Sequence, residues 1–140
     1  MTVAERQEAA AKAHAAGYNC AQAVAYALRD TVADRMDADA LFRATEGFGL
    51  GMGGMEGTCG ALSGAVLIAG LLKSGGPEGQ PTKGQTYRLT KALLQRFQEK
   101  NRSVRCKDLK GAETGAVLRS CPGCIADAVE IACEVLELPD

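Results

Sequence analysis

The sequence is short of several features, and each shortage narrows what the chain can do. Lys and Arg number 16 against 17 Asp and Glu, a formal net charge of -1. That balance lacks the basic excess of an electrostatically driven nucleic-acid binder, so no nucleic-acid partner is expected. No apolar run approaches the roughly 20 residues a membrane span requires; the longest is Ala65-Val66-Leu67-Ile68-Ala69-Gly70-Leu71-Leu72. The first residues, Met1-Thr2-Val3-Ala4-Glu5-Arg6-Gln7-Glu8, hold no basic stretch followed by an apolar one. No secretory signal is therefore expected, and the chain reads as cytoplasmic. No segment alternates with period two, so strands are not expected either.

What is present is an ordinary globular composition, 46% hydrophobic and 24% charged over 140 residues. A chain near this length buries roughly 70% of its unfolded surface in one core and needs no disulfide to fold. We read residues 1–140 as a single domain. Its six cysteines, in a reducing compartment, then read as metal ligands, redox-active thiols or small core residues rather than structural bridges.

The periodicity is helical throughout. Ala21, Val24, Ala25, Leu28 and Val32 form one apolar stripe; Leu89, Leu93 and Phe97 form a second; Ile125, Ala128, Val129, Ala132 and Leu136 form a third. Gly60/Gly64 and Ala61/Ala65 set small residues one turn apart, which predicts a buried central helix at about 59–73. An alanine-rich helix from Val3 to Ala16 and a short one from Asp37 to Thr45 complete an all-α, compact bundle of five to seven helices. Gly17 is expected to end the first helix and Asn19 to cap the second. Asn101 suits a left-handed helix end, with Ser103 as the next cap.

Four cysteines fall at predicted helix starts: Cys20 after Gly17-Tyr18-Asn19, Cys59 after Gly57-Thr58, Cys106 three residues beyond Ser103, and Cys124 after Pro122-Gly123. Free N–H groups and the positive end of the helix dipole stabilise a thiolate, the form that binds metals and attacks disulfides. Taken singly, each is equally well a small buried hydrophobe; the recurrence is what points to function. Their long, irregular separations match no zinc ribbon or ferredoxin spacing, so a shared site must be assembled by the fold. Four thiolates satisfy either zinc or an iron–sulfur cluster, and spacing does not choose between them.

Cys121-Pro122-Gly123-Cys124 is the one local motif, a C-x-x-C in which Cys121 would cap a helix and Cys124 sit in its first turn. Thiol–disulfide exchange through Cys121 and Cys124 is the alternative this motif raises. No strand–helix–strand pattern surrounds it, and Ile125 in place of histidine excludes c-type haem attachment. The one histidine, His14, is expected on the surface of the first helix. Cys133 lies about half a turn around the axis from Cys124 and should serve packing.

Gly49-Leu50-Gly51-Met52-Gly53-Gly54 satisfies G-x-G-x-x-G, but without a preceding strand it does not read as a dinucleotide site. It reads instead as a loop that lets backbone pass close and delivers Cys59 to a tight place. Met52 and Met55 could give soft apolar cover there, with ordinary packing the simpler role. From Lys83 to Lys110 nine basic residues face only Glu99 and Asp108, while the last helix carries Asp127, Glu130, Glu134 and Glu137. That segregation reads as a solvated face balanced by an acidic neighbour, or, more sharply, as Arg105 and Lys107 favouring a Cys106 thiolate or docking an acidic redox partner.

Gly17-Tyr18-Asn19-Cys20-Ala21-Gln22-Ala23-Val24, Cys59-Gly60-Ala61-Leu62-Ser63-Gly64, Cys106-Lys107-Asp108-Leu109 and Cys124 in a C-terminal helix together resemble the redox-active proteins named for a C-GCAxxG-C-C pattern. The resemblance covers about residues 10–137. It implies a small helical protein with signature cysteines at Cys20, Cys59, Cys106 and Cys124. A related domain of split-Soret cytochromes is associated with an iron–sulfur centre, which favours a cluster over zinc. This sequence departs from the pattern in Cys121 and Cys133, and in Asn101 where a glycine is more usual. The expectation is thus an electron-transfer or redox-sensing protein holding an iron–sulfur cluster, with zinc or no cofactor as alternatives. A redox protein is its expected partner, and a homodimer is compatible with the sequence.

Overall fold

A computed structural model describes all residues, 1–140. Seven helices follow one another: α1 Val3–Ala15, α2 Cys20–Ala27, α3 Ala38–Thr45, α4 Gly60–Lys73, α5 Lys83–Asn101, α6 Cys106–Lys110 and α7 Cys121–Val135. Gly49–Met52 is a tight corner rather than a helix, because Leu50 and Gly51 leave the right-handed region. There is no strand, and no helix is long and apolar enough to cross a membrane. The all-α class and the buried helix after Cys59 are as the periodicity indicates.

Local signals set the helix starts. At α1 the Thr2 hydroxyl accepts from the Glu5 N–H at 3.1 Å while the Glu5 carboxylate accepts from the Thr2 N–H at 2.8 Å. At α2 Asn19 and Gln22 exchange the same pair of bonds, both at 2.9 Å. Gly17, at φ +108°, makes the left-handed turn between them. Helix α4 buries Gly60, Ala61, Leu62, Gly64, Ala65, Ile68 and Ala69 against α2, α5 and α7. The three apolar stripes point inward, with Val24, Leu28, Leu93, Phe97, Ala128 and Val129 all at 0% exposure. Buried Arg6 ties α1 to the end of α2, reaching both oxygens of Asp30 at 2.6 and 3.1 Å and the Ala27 carbonyl at 2.9 Å.

Three helix boundaries differ from the sequence reading. Asn101 stays in the last turn of α5, and Arg102 takes the left-handed conformation at φ +70°. In that position the Asn101 amide is buried and donates to Asp127 at 3.2 Å, a bond that favours keeping the residue in the helix. Ser103 caps no helix: its hydroxyl accepts from the Arg105 N–H at 3.1 Å and donates to Asp108 at 2.9 Å, forming a turn. Ser120, not Cys121, caps α7, accepting from the Gly123 N–H at 3.2 Å. A hydroxyl is a good acceptor and a thiol a poor one, so Cys121 moves into the first helical position.

Candidate functional site

Each of the four helix-start cysteines lies where a helix begins. Cys20 and Cys106 are the first residues of α2 and α6, Cys59 is the residue before α4, and Cys124 sits in the first turn of α7 beside Cys121. All five line one cavity of about 200 Å³. Cys59, Cys106 and Cys124 are buried at 6%, 6% and 3% exposure, while Cys20 and Cys121 are half-buried at its rim. All six thiols are free. Cys133 is buried on α7 away from the cavity, near Arg6.

The glycine-rich segment brings these helix starts together. The Cys59 N–H donates to the Val104 carbonyl at 2.7 Å, and the Cys106 N–H donates to the Gly57 carbonyl at 3.0 Å, so Thr58 and Arg105 form an isolated antiparallel bridge. Two cysteines far apart in the chain are thereby held side by side. Leu50, Met52 and Met55 all have positive φ, a conformation non-glycine residues adopt at a cost. The corner they make sets the Leu50 amide against the Cys20 sulfur and Gly51 directly on the Cys106 side chain. Gly60 is as tightly placed, since a Cβ there would lie 2.5 Å from Cys20 Sγ. Leu50 lines the cavity; Met52 and Met55 do not.

The electrostatics divide the thiols unequally. The Cys124 thiol hydrogen-bonds Cys59 and, with the Ala61 and Leu62 amides of the helix start, holds Cys59 down to about 7 against the cost of burial. Cys124, donating to Cys59 and buried, is pushed far up. The two share a proton: the first leaves readily and the second with difficulty. Burial raises Cys20 and Cys106, and the neighbouring Cys59 charge raises them further. One negative charge is therefore stable in the cavity, and additional ones need a cation to accompany them.

That cation is not where the sequence suggests. Arg105 and Lys107 both turn outward to Glu56, Arg105 at 2.5 Å, and Arg105 also pairs with Asp108 at 3.2 Å. Their charges are spent on these carboxylates rather than on the Cys106 thiol. Lys110, one turn beyond Cys106, lines the cavity instead and sits against the Cys121 thiol. Two of the five basic residues of α5 pair with the last helix, Arg96 with Glu134 at 3.1 Å and Lys100 with Asp127 at 2.6 Å. His14 is half-buried at the cavity wall, not on the open surface, because the turn at Gly17 folds the end of α1 back beside Cys20.

Asp127, one turn past Cys124, is a second feature the sequence does not flag. Buried at 3% exposure, it accepts from Lys100, Asn101 and Arg119, the last through two bonds at 3.0 and 3.2 Å. The carbonyl of Arg119 faces Cys124 Sγ at 3.9 Å, so Asp127 anchors that edge of the site. Burial pushes the carboxyl up, but Lys100, Arg119 and Asn101 together hold it below its ordinary 3.8. A depressed carboxylate stabilises the fold above its unfolded value, and that contribution is lost as pH falls through the lower folded value. Asp127→Asn should lower stability at pH 7 by about 1–3 kcal/mol. Thermal melts from pH 6 down to 2 should show a smaller acid-induced loss in the variant than in the wild type.

The donor set bears directly on what the site could hold. No group of three or more His, Cys, Asp or Glu side chains is arranged to hold a metal ion. A single zinc needs four ligands about 2.3 Å from one centre, so a closed zinc shell is not preformed. A cluster distributes its thiolate bonds over several metal atoms and accepts sulfurs spaced around a larger volume.

The fold and cavity thus define a class, small all-α proteins with a thiol-lined pocket built from helix N-termini. Over residues 18–135 the chain matches the family described as "Putative redox-active protein (C_GCAxxG_C_C)", and it belongs to that family. No curated protein and no solved structure matches it.

Proposed function

We propose that the protein is a one-site redox protein in which Cys20, Cys59, Cys106 and Cys124 hold an iron–sulfur cluster for electron transfer or redox sensing. The observation that supports this best is the convergence of four helix-start cysteines on one cavity of about 200 Å³. When bound, the cluster would supply one-electron chemistry at a potential set by its hydrogen bonds and burial. The chain's own residues do the rest. Helix amides at Cys59 favour the thiolate, Leu50 and the burial of three of the four sulfurs limit water, and Lys110 offsets charge. Binding must displace the shared Cys59–Cys124 proton and those of Cys20 and Cys106, so cluster uptake should release protons. The partner on this reading is another redox protein.

Protein purified without oxygen should be brown and contain iron with acid-labile sulfide in matching amounts. Colourless protein with zinc bound would instead support a structural metal site, and metal-free protein after anaerobic reconstitution with iron and sulfide would defeat the cluster reading.

A further inference from the structure

Cys121 is left over by a four-thiol shell, yet it stands at the rim of the same cavity. It is the first residue of α7, and Cys124 follows one turn later on the same face. Cys124 and Cys59 are both buried and line that cavity together. Of the three thiols, Cys121 is the accessible one and Cys124 and Cys59 are buried. The cavity wall around them carries His14, Lys110 and Arg119 and no carboxylate. Arg119 is engaged by Asp127, whereas Lys110 pairs with no carboxylate and faces Cys121, with Cys106 and Cys20 near it.

We propose that, in the metal-free reduced chain, Cys121, Cys124 and Cys59 act as a thiol relay that reduces a small anionic disulfide and ends as a Cys59–Cys124 disulfide. This goes beyond the cluster reading and concerns the chain when its shell is empty. The Cys121 thiol passes its proton to water as it attacks one sulfur of the incoming disulfide, forming a mixed disulfide and expelling the first thiolate, which takes that proton back. Cys124 then attacks the Cys121 sulfur, forming a Cys121–Cys124 disulfide and expelling the second thiolate, which takes the Cys124 proton. Cys59 attacks the Cys124 sulfur, the Cys121–Cys124 bond breaks, and Cys121 is released to take the Cys59 proton. In sum one disulfide gains two electrons and two protons, all from Cys59 and Cys124. Lys110 attracts the anionic substrate and its leaving thiolate.

The test uses the full-length, reduced, metal-free chain with one equivalent of dithiobis(nitrobenzoate), which is anionic, or of neutral dipyridyl disulfide. Two equivalents of coloured thiol should be released per equivalent of reagent, and peptide mapping should find the bond between Cys59 and Cys124. Cys121→Ser should slow release about tenfold or more with both reagents. Cys59→Ser should keep the fast first step and stop at Cys121–Cys124. Lys110→Met should slow the anionic reagent by about three- to tenfold and the neutral one less. Unchanged rates in Cys121→Ser, or a final bond at Cys121–Cys124 in the wild type, would overturn the relay. Equal slowing of both reagents by Lys110→Met would overturn the anionic substrate. Iron uptake by Cys121→Ser, measured separately, bears on the cluster reading alone.

Discussion

Serine in place of Cys20, Cys59, Cys106 or Cys124 is expected to abolish stable iron binding, whereas Cys121→Ser and Cys133→Ser retain it. The asymmetry follows from position. The first four stand at four separate helix starts around the cavity, so each supplies a side of the shell that no other residue covers. Serine keeps the size but holds its proton far more tightly than a thiol, and it is a poor ligand for iron. Cys121 shares α7 with Cys124 and adds no new side, and Cys133 lies elsewhere on that helix. Circular dichroism should show all six variants helical, because no disulfide is broken by the change. Iron and sulfide content, normalised to protein, is the measurement. If Cys121→Ser lost iron while Cys124→Ser kept it, α7 would present the other member of its C-x-x-C, and the shell would have to be redrawn around the rim thiol.

The helices and the gathering of cysteines at their starts were legible in the sequence because both depend on local rules. An apolar residue at every third or fourth position places itself, and Asn19, Gly17 and Asp37 mark ends by chemistry that acts within one turn. What was not legible depends on pairing across the chain. Nothing near Gly57 announces that its carbonyl will accept from the Cys106 amide, although that bond fixes two thiols relative to each other. Nor does the spacing show that Cys59 and Cys124, 65 residues apart, line one cavity with Cys121. The glycine-rich run gave the right expectation of close backbone passage. Its left-handed residues, however, include Leu50, Met52 and Met55, which propensity argues against. Arg105 and Lys107 were the obvious cations for Cys106 because they flank it in sequence. Immediate neighbours on a helix do not share a face, whereas Lys110, at the i+4 position, lies on the same face as Cys106.

Gly64→Val is expected to loosen the bundle and lower iron retention although it touches no ligand. Helix α4 lies against α2 so closely that a Cβ at Gly64 would sit 2.6 Å from the Ala21 carbonyl oxygen and 3.1 Å from its Cα. Both atoms belong to the backbone next to Cys20, so relief requires α2 as a whole to move. Overpacking of this kind costs about 1–3 kcal/mol, and a rigid backbone obstacle puts the change at the upper end. The displaced helix carries Cys20 away from Cys59, which opens the thiol shell. Gly60→Ala acts one turn earlier and more directly, because its Cβ meets Cys20 Sγ at 2.5 Å and the Phe48 carbonyl at 2.9 Å. It should spoil iron binding more than its effect on the melting temperature would suggest. Gly70 supplies the control on the same helix, since nothing lies within 4 Å of a Cβ there. Gly70→Ala should raise stability by about 0.5–1 kcal/mol through helix propensity and leave iron content unchanged. Melting temperature and iron content measured on the three variants separate the two effects. A Gly64→Val protein that melts like the wild type and keeps its iron would mean that α2 and α4 are not in backbone contact, and that Cys20 reaches the site by another path.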